Sequence, residues 1–507
     1  MTTHSTKIDA LGLPANAVDL LKPPEGWSQP FESDIFANRL EILLPQIRRH
    51  AAQTDPAQQK SIDDAILAHL DISYAYFGET NLHALAVARA ELLQDILQRK
   101  YPDLPLHIEK AHSGSNKIKL GIIVRYFKPF IDNWVLAGFL TSLPHDTYDI
   151  TLYSVQDIDQ RIDQEKPEQK KFHAEFTKLV DRYKSLDTLP LTETVQAIRK
   201  DKNDIILLGN AMHTGTGKAH LLQAYRLAPI EIVTTNTPSS CGFTAVDYYM
   251  SAKNTEPKDA QAHYSEKIVW LPDQSFAMAL DPVPEFAAAY KRDPEDDAWL
   301  AQQGILPNTP ILVNCSAWPK LTVECITLWA EILQAAPEAH LILDPHSPSW
   351  SSDTFAHAQR RTISGILSAH NVEMARCHIL DMYPSNKTFA VLDRATLYLD
   401  AFPYSGNMAL REALLMGCPI VTRTTNHQRG MQAAALLHSI GMHQLVTADN
   451  ESYKSLVIEL LQNKPTCMQL RARIKSAMKS APIYDSTTLS LAFSDLLKNL
   501  MENEKSS

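Results

Sequence analysis

Two separate runs in which short apolar strands alternate with helices constrain this chain more than any other feature. The first run opens with Lys117-Ile118-Lys119-Leu120-Gly121-Ile122-Ile123-Val124, a buried-strand pattern, and continues with a helix bearing Trp134, Leu136, Phe139 and Leu140. Strand patterns follow at Asp149–Ser154 and Asp204–Leu208, with a polar helix between them. The second run has strands at Pro310–Asn314, His340–Asp344, Cys377–Leu380 and Leu397–Asp400, and a helix over Thr322–Ala335. Such alternation calls for parallel, doubly wound sheets. The expected class is therefore α/β with three parts: an all-helical domain over 1–112, a first sheet domain over 113–285 and a second over 286–507. Residues Asp281–Leu306, rich in Pro, Ala and acids, read as a linker plus a short helix. The C-terminal stripe Leu489, Phe493, Leu496, Leu497 and Leu500 is expected to pack across the back of the cleft between the sheet domains.

Before Pro105 apolar residues recur every three or four positions, as in Ile35–Leu44 and at Leu82, Leu85, Ala88, Leu92, Leu93 and Ile96. No period near 34 residues repeats, so a helical-repeat array is not indicated. These helices either dock a partner or cap the core. With 48 Lys and Arg against 58 Asp and Glu, the net charge of −10 argues against nucleic acid as the main partner. The six cysteines are spread singly, without metal-like spacing, and read as reduced thiols. A leader pattern and a long uncharged apolar run are both lacking, so a cytoplasmic protein without a membrane span is expected.

The stretch Leu397–Leu437 carries the densest functional signal. Strand Leu397–Asp400 ends in the loop Phe402-Pro403-Tyr404-Ser405-Gly406, and a helix is expected with Asn407 as N-cap and Gly406 allowing close backbone approach. Strand Pro419–Thr422 then leads through His427, Gln428 and Arg429 into another helix. Free N–H groups at two helix starts favour phosphate, and open α/β sheets place ligands beyond the carboxyl ends of their strands. A nucleotide-diphosphate site fits this layout; an ordinary strand–helix–strand with a polar loop is the competing reading.

The segments DAFPYSGNMALREALLMGCPIVT and NHQRGMQAAALLHSIGMHQLV, with YRLAPIEIV, VDYYMSAKNTEP, HYSEKIVWLP and AWPKLTVECITLWAEIL upstream, resemble glycosyltransferase family 41. That group holds the O-GlcNAc transferases, SPINDLY and the bacterial cytoplasmic N-glycosyltransferases. The resemblance runs from about Lys117 to the C-terminus and implies a GT-B type fold, two Rossmann-like domains facing a cleft. It also implies an inverting, metal-independent transfer of GlcNAc or hexose from a UDP-sugar to a protein side chain, Ser/Thr or Asn. The donor is a substrate, and no cofactor or metal is expected. Lys320, in the loop after Ile311–Asn314, matches the lysine that neutralises the leaving diphosphate. Glu412 matches the acidic ribose ligand, His427 a histidine of bacterial relatives, and Arg429 offers a planar fork to pyrophosphate. His213, in the loop Gly209–Lys218, matches a histidine facing sugar and acceptor. Asn236, in the small-residue loop Asn236–Ser240, and Tyr383 complete the donor-binding set with Gly406, Asn407, Met408, Ala409 and Gln428.

Departures from the family pattern leave alternatives. Met408 and Ala409 stand where relatives have phosphate-binding threonines, and no histidine follows the first strand, leaving Asp132 as a candidate base or a mere helix cap. A catalytically weak nucleotide-sugar-binding scaffold or sensor, or a transferase with a non-protein acceptor, remains open. Two motifs are set aside. The Gly-Lys ending of Gly209–Lys218 lacks the glycine and hydroxyl of a P-loop, and Asp157-Ile158-Asp159 is a two-residue spacing that arises readily by chance.

Overall fold

The computed structural model describes residues 19–155, 166–209, 217–272, 274–345, 352–380, 386–407 and 410–506. Among the described residues thirteen strands form two wholly parallel sheets. The first holds β1 (Ile118–Val124), β2 (Tyr148–Ser154), β3 (Arg182–Ser185), β4 (Ile205–Leu208), β5 (Ile230–Thr234), β6 (Tyr248–Ala252) and β7 (Lys267–Leu271), in the order β3-β2-β1-β4-β5-β6-β7. The second holds β8 (Ile311–Asn314), β9 (His340–Leu343), β10 (Cys377–Ile379), β11 (Leu397–Leu399), β12 (Ile420–Arg423) and β13 (Val446–Thr447), in the order β10-β9-β8-β11-β12-β13. Each order reverses direction once, between β1 and β4 and between β8 and β11. Beyond the carboxyl ends of those pairs a doubly wound sheet leaves its ligand crevice.

Strands buried on both faces, such as β4, read as continuous apolar runs. The edge strand β3, Arg-Tyr-Lys-Ser, is mostly exposed and carries no such pattern. Residues 281–306, expected as linker with one short helix, hold two helices, Val283–Ala289 and Pro294–Gln302; the second is closed by an Asp293–Asp296 capping box. All six cysteines are buried free thiols.

The N-terminal unit comprises helices Glu32–Ala51, Pro56–His69 and His83–Lys100. Its core is continuous with one face of the first sheet, where Leu85, Leu92 and Ile96 share a cluster with Ile206, Leu208 and Val233. The C-terminal helix Ser486–Ser506 crosses back to the first sheet domain. Phe493 meets Phe139 with ring centres 5.1 Å apart, Ser490 Oγ donates to Phe139 O at 2.8 Å, and Tyr148 Oη donates to Ser494 O at 2.9 Å. This segment, grouped by sequence with residues 286–507, is thus packed on the other domain. No helix among the described residues is long and apolar enough to cross a membrane.

Candidate functional site

Lys320 ends a one-turn 3₁₀ helix, Trp318–Lys320, at the carboxyl end of β8. Its Nζ donates to Ser405 O at 2.7 Å and lies 4.0 Å from the ring centre of Tyr404, both on the loop leaving β11. The two strands of the reversal point are therefore joined through this ammonium. Burial pushes Lys320 down to about 8, against the pull of the Asp400 carboxylate. Asp400 follows β11 and is fully buried; it accepts from Gly406 N at 2.7 Å and Thr422 Oγ1 at 2.6 Å. Burial pushes Asp400 up to about 6, with Thr422, the Gly406 amide and Lys320 opposing. Gly406 has no room for a side chain: a Cβ there would stand 2.7 Å from Leu410 and 2.9 Å from the Asp400 carboxylate. Sequence reasoning placed Asp400 in a strand and gave it no role; its signal was a carboxylate at the end of an apolar strand.

Asp132 lies in the first turn of helix Ile131–Leu140, beyond β1, and accepts from Tyr126 Oη at 3.3 Å. Burial pushes its carboxyl up to about 6, against Tyr126 and the Lys128 charge. The Trp134 ring, on the same helix, lies 5.2 Å from the Arg411 guanidinium, so the segment after β1 meets the segment after β11.

Glu412 is 15% exposed and pairs with Arg411 Nη1 at 3.3 Å. Burial pushes its carboxyl up, opposed by Arg411. Arg411 is itself buried, donates through Nε to Asp281 Oδ2 at 2.9 Å and stacks 5.2 Å over Trp134 of the first domain. Asn407 is not the N-cap expected: the helix is the five-residue Arg411–Leu415 with Leu410 as N-cap. The Asn407 amide donates instead to Gln432 Oε1 at 3.1 Å.

Helix Gln428–Ser439 starts where expected, with His427 as N-cap, but its polar residues are engaged. Arg429 Nη2 donates to Gly78 O at 2.9 Å and Thr80 O at 2.6 Å, and His427 Nε2 meets Glu79 O. His427 Nδ1 lies 3.3 Å from His263 Nδ1, and Gln428 Nε2 lies 3.4 Å from Thr235 O, beside Asn236 on the loop after β5. Burial, then the Arg429 charge, push His427 down to about 4, leaving it neutral at pH 7. Burial pushes Arg429 only down to about 10. The pair expected to hold a diphosphate thus ties the second domain to the loop 78–80, because three carbonyls of that loop are aimed at it. Nothing local in the sequence announces a contact between residues about 350 positions apart.

Lys218, the lysine of the rejected phosphate-loop pattern, donates to Leu186 O, Asp187 O and Leu189 O. His213, Tyr383, Met408, Ala409 and the Asp157–Asp159 motif lie outside the described residues. Among the described residues no cluster of three His, Cys, Asp or Glu side chains suits a metal ion.

Two doubly wound sheets facing each other across loops at their reversal points define a GT-B type fold. Within the second, residues 299–492 match the model of Glycosyl transferase family 41. A SPINDLY protein of Oryza sativa, named as a probable UDP-N-acetylglucosamine–peptide N-acetylglucosaminyltransferase, is 24% identical over 307 residues, 60% of this chain and 31% of that protein. The SPINDLY protein of Petunia hybrida, named likewise, is 26% identical over 299 residues, 57% of this chain and 29% of that one. The chain thus spans less than a third of these relatives. A solved structure, that of a Thermobaculum terrenum O-GlcNAc transferase mutant, shares the fold with a TM-score of 0.68 at 20% identity, covering 93% of this chain and 82% of that one.

Proposed function

We propose that the protein is an inverting glycosyltransferase that moves a sugar from a UDP-sugar to a protein side chain. The observation that carries this reading is Lys320, a partly buried ammonium held between Ser405 O and the Tyr404 ring at the reversal point of the second sheet, within the residues that match family 41. The peptide-modifying names of the SPINDLY relatives support the acceptor class.

In this reading the acceptor atom attacks the anomeric carbon from the face opposite the diphosphate. Its proton passes to Asp132, whose carboxylate is ionised at neutral pH. The bond to the departing diphosphate oxygen breaks, and the electron pair leaves with UDP. Lys320 neutralises that charge inside a low-dielectric site, where a fixed cation is worth most. No metal is needed where an ammonium does this. The Gly406 and Glu412 region lines the donor side, with Glu412 as the ribose acceptor. His427 and Arg429 then set the position of the helix Gln428–Ser439.

The test is incubation of the purified protein with UDP-GlcNAc, UDP-glucose or UDP-galactose and host lysate, with EDTA present, followed by peptide mass spectrometry. A sugar mass added to Ser, Thr or Asn of a protein supports the reading. Modified lipid or glycan without modified protein refutes the acceptor class.

A further inference from the structure

Lys320 has its backbone fixed on both sides by residues outside its own turn. Pro319 O, immediately before it, accepts from the indole Nε1 of Trp27 at 2.8 Å. Leu321 O, immediately after it, accepts from the Gln359 amide, and that same amide accepts from Trp27 N at 3.1 Å. Trp27 is 1% exposed and Gln359 fully buried. Thr362 Oγ1 donates to Trp27 O at 2.7 Å, so every polar group of Trp27 is bonded to the second domain. Its ring meets Phe355 edge-on at 5.5 Å and Phe77 at 6.1 Å. Phe77 in turn lies 5.7 Å from Tyr404, the ring beneath the Lys320 ammonium.

We propose that Trp27, from the N-terminal unit, is a positioning residue that fixes both the backbone of Lys320 and, through Phe77, the ring under its ammonium. A lysine is a point charge on a flexible four-carbon stem, and its effect on a developing charge falls with distance. A site on a one-turn helix gains accuracy only from the residues that support it. The inference rests on the donor-site reading of Lys320, and it gives the N-terminal unit a part in the site besides that of a cap.

The experiment compares UDP release by the full chain, Trp27→Phe, Lys320→Ala and the double variant, on whichever of UDP-GlcNAc, UDP-glucose and UDP-galactose supports release. Trp27→Phe keeps an aromatic ring but removes the pyrrole half of the indole and with it the N–H donor to Pro319 O. It should slow release roughly three- to tenfold, the worth of one such hydrogen bond, and should have no further effect once Lys320 is gone. The same slowing in both backgrounds, or none in either, overturns the proposal. A second readout needs no activity: acetic anhydride labelling of Lys320, scored by peptide mass spectrometry against the exposed Lys178. Labelling of Lys320 should rise in Trp27→Phe; unchanged labelling overturns the proposal. Absence of UDP release by the wild type refutes the donor reading while labelling still decides the role of Trp27. Should Trp27→Phe fail to fold, Thr362→Val, which removes the hydroxyl bonded to Trp27 O, carries the same comparison.

Discussion

The ammonium of Lys320 stands 4.0 Å above the ring centre of Tyr404 and bonds to the carbonyl of the next residue, Ser405. One side chain thus closes the gap between the loops after β8 and β11, and the account of catalysis rests on it. Replacing Lys320 by Ala should slow UDP release by about a hundredfold or more, as removal of a preorganised charge-stabilising group does. Thermal melting should change little beside that loss; a comparable loss in Lys454→Ala, whose partners are Glu331 and Glu451, would show the effect to be nonspecific.

The pH dependence should have two limbs. Asp132 must be ionised and Lys320 protonated, so kcat/KM should rise through about pH 6 and fall through about pH 8. Asp132→Asn should remove the acid limb and leave the alkaline one. The stability effects run oppositely. Between about 8 and 10.5 the unfolded chain holds more protons at Lys320, so that group adds stability as pH rises. Between 3.8 and about 6 the folded chain holds more protons at Asp132, so that group subtracts stability as pH rises. Rate profiles and urea midpoints across pH 5–10 check both signs.

Much of this fold was legible because parallel strands buried on both faces are continuous apolar runs. β1, β2, β4, β8, β9, β11 and β12 all fall within a residue or two of the expected segments. The exposed strand β3 has no apolar run to find. That Lys320 follows β8, that Gly406 follows β11 and that Glu412 lies on the helix beyond were legible from the strand–helix pattern. Trp27, Phe77 and the carbonyls of Gly78, Glu79 and Thr80 were not, because long-range backbone partners leave no local periodicity. For the same reason His427 and Arg429 looked like free ligands in sequence.

Loss of the Arg429 tether should weaken the join between the N-terminal unit and the second domain. Arg429→Ala leaves Gly78 O and Thr80 O without their donor, an expected loss of about 2 kcal/mol for a charge-assisted pair. Asp34 still holds that loop through Thr80 N at 2.6 Å, so the loop itself should persist. Urea denaturation measures the loss; an unchanged midpoint would mean the carbonyls find water.

Phe493 belongs by sequence to the second half and by packing to the first. Phe493→Ala should cost about 3–5 kcal/mol and expose the helix Ile131–Leu140, raising hydrogen exchange there first. Exchange rising first around β8 to β12 would contradict the docking described.

Gly138 sits where a Cβ would stand 2.1 Å from Ala277 O, a backbone atom that cannot rotate away. Gly138→Ala should destabilise by about 1–3 kcal/mol by overpacking, and calorimetry would record the lower melting temperature. Its kcat/KM should fall only as far as folded protein is lost.

The most direct test of the central claim is continuous measurement of UDP release from UDP-GlcNAc, UDP-glucose and UDP-galactose by wild type and Lys320→Ala, with UDP binding measured alongside by calorimetry. The wild type should release UDP from at least one donor, and the variant should lose nearly all of that release. Equal release by both proteins, or wild-type silence with all three donors despite measurable UDP binding, would contradict the claim.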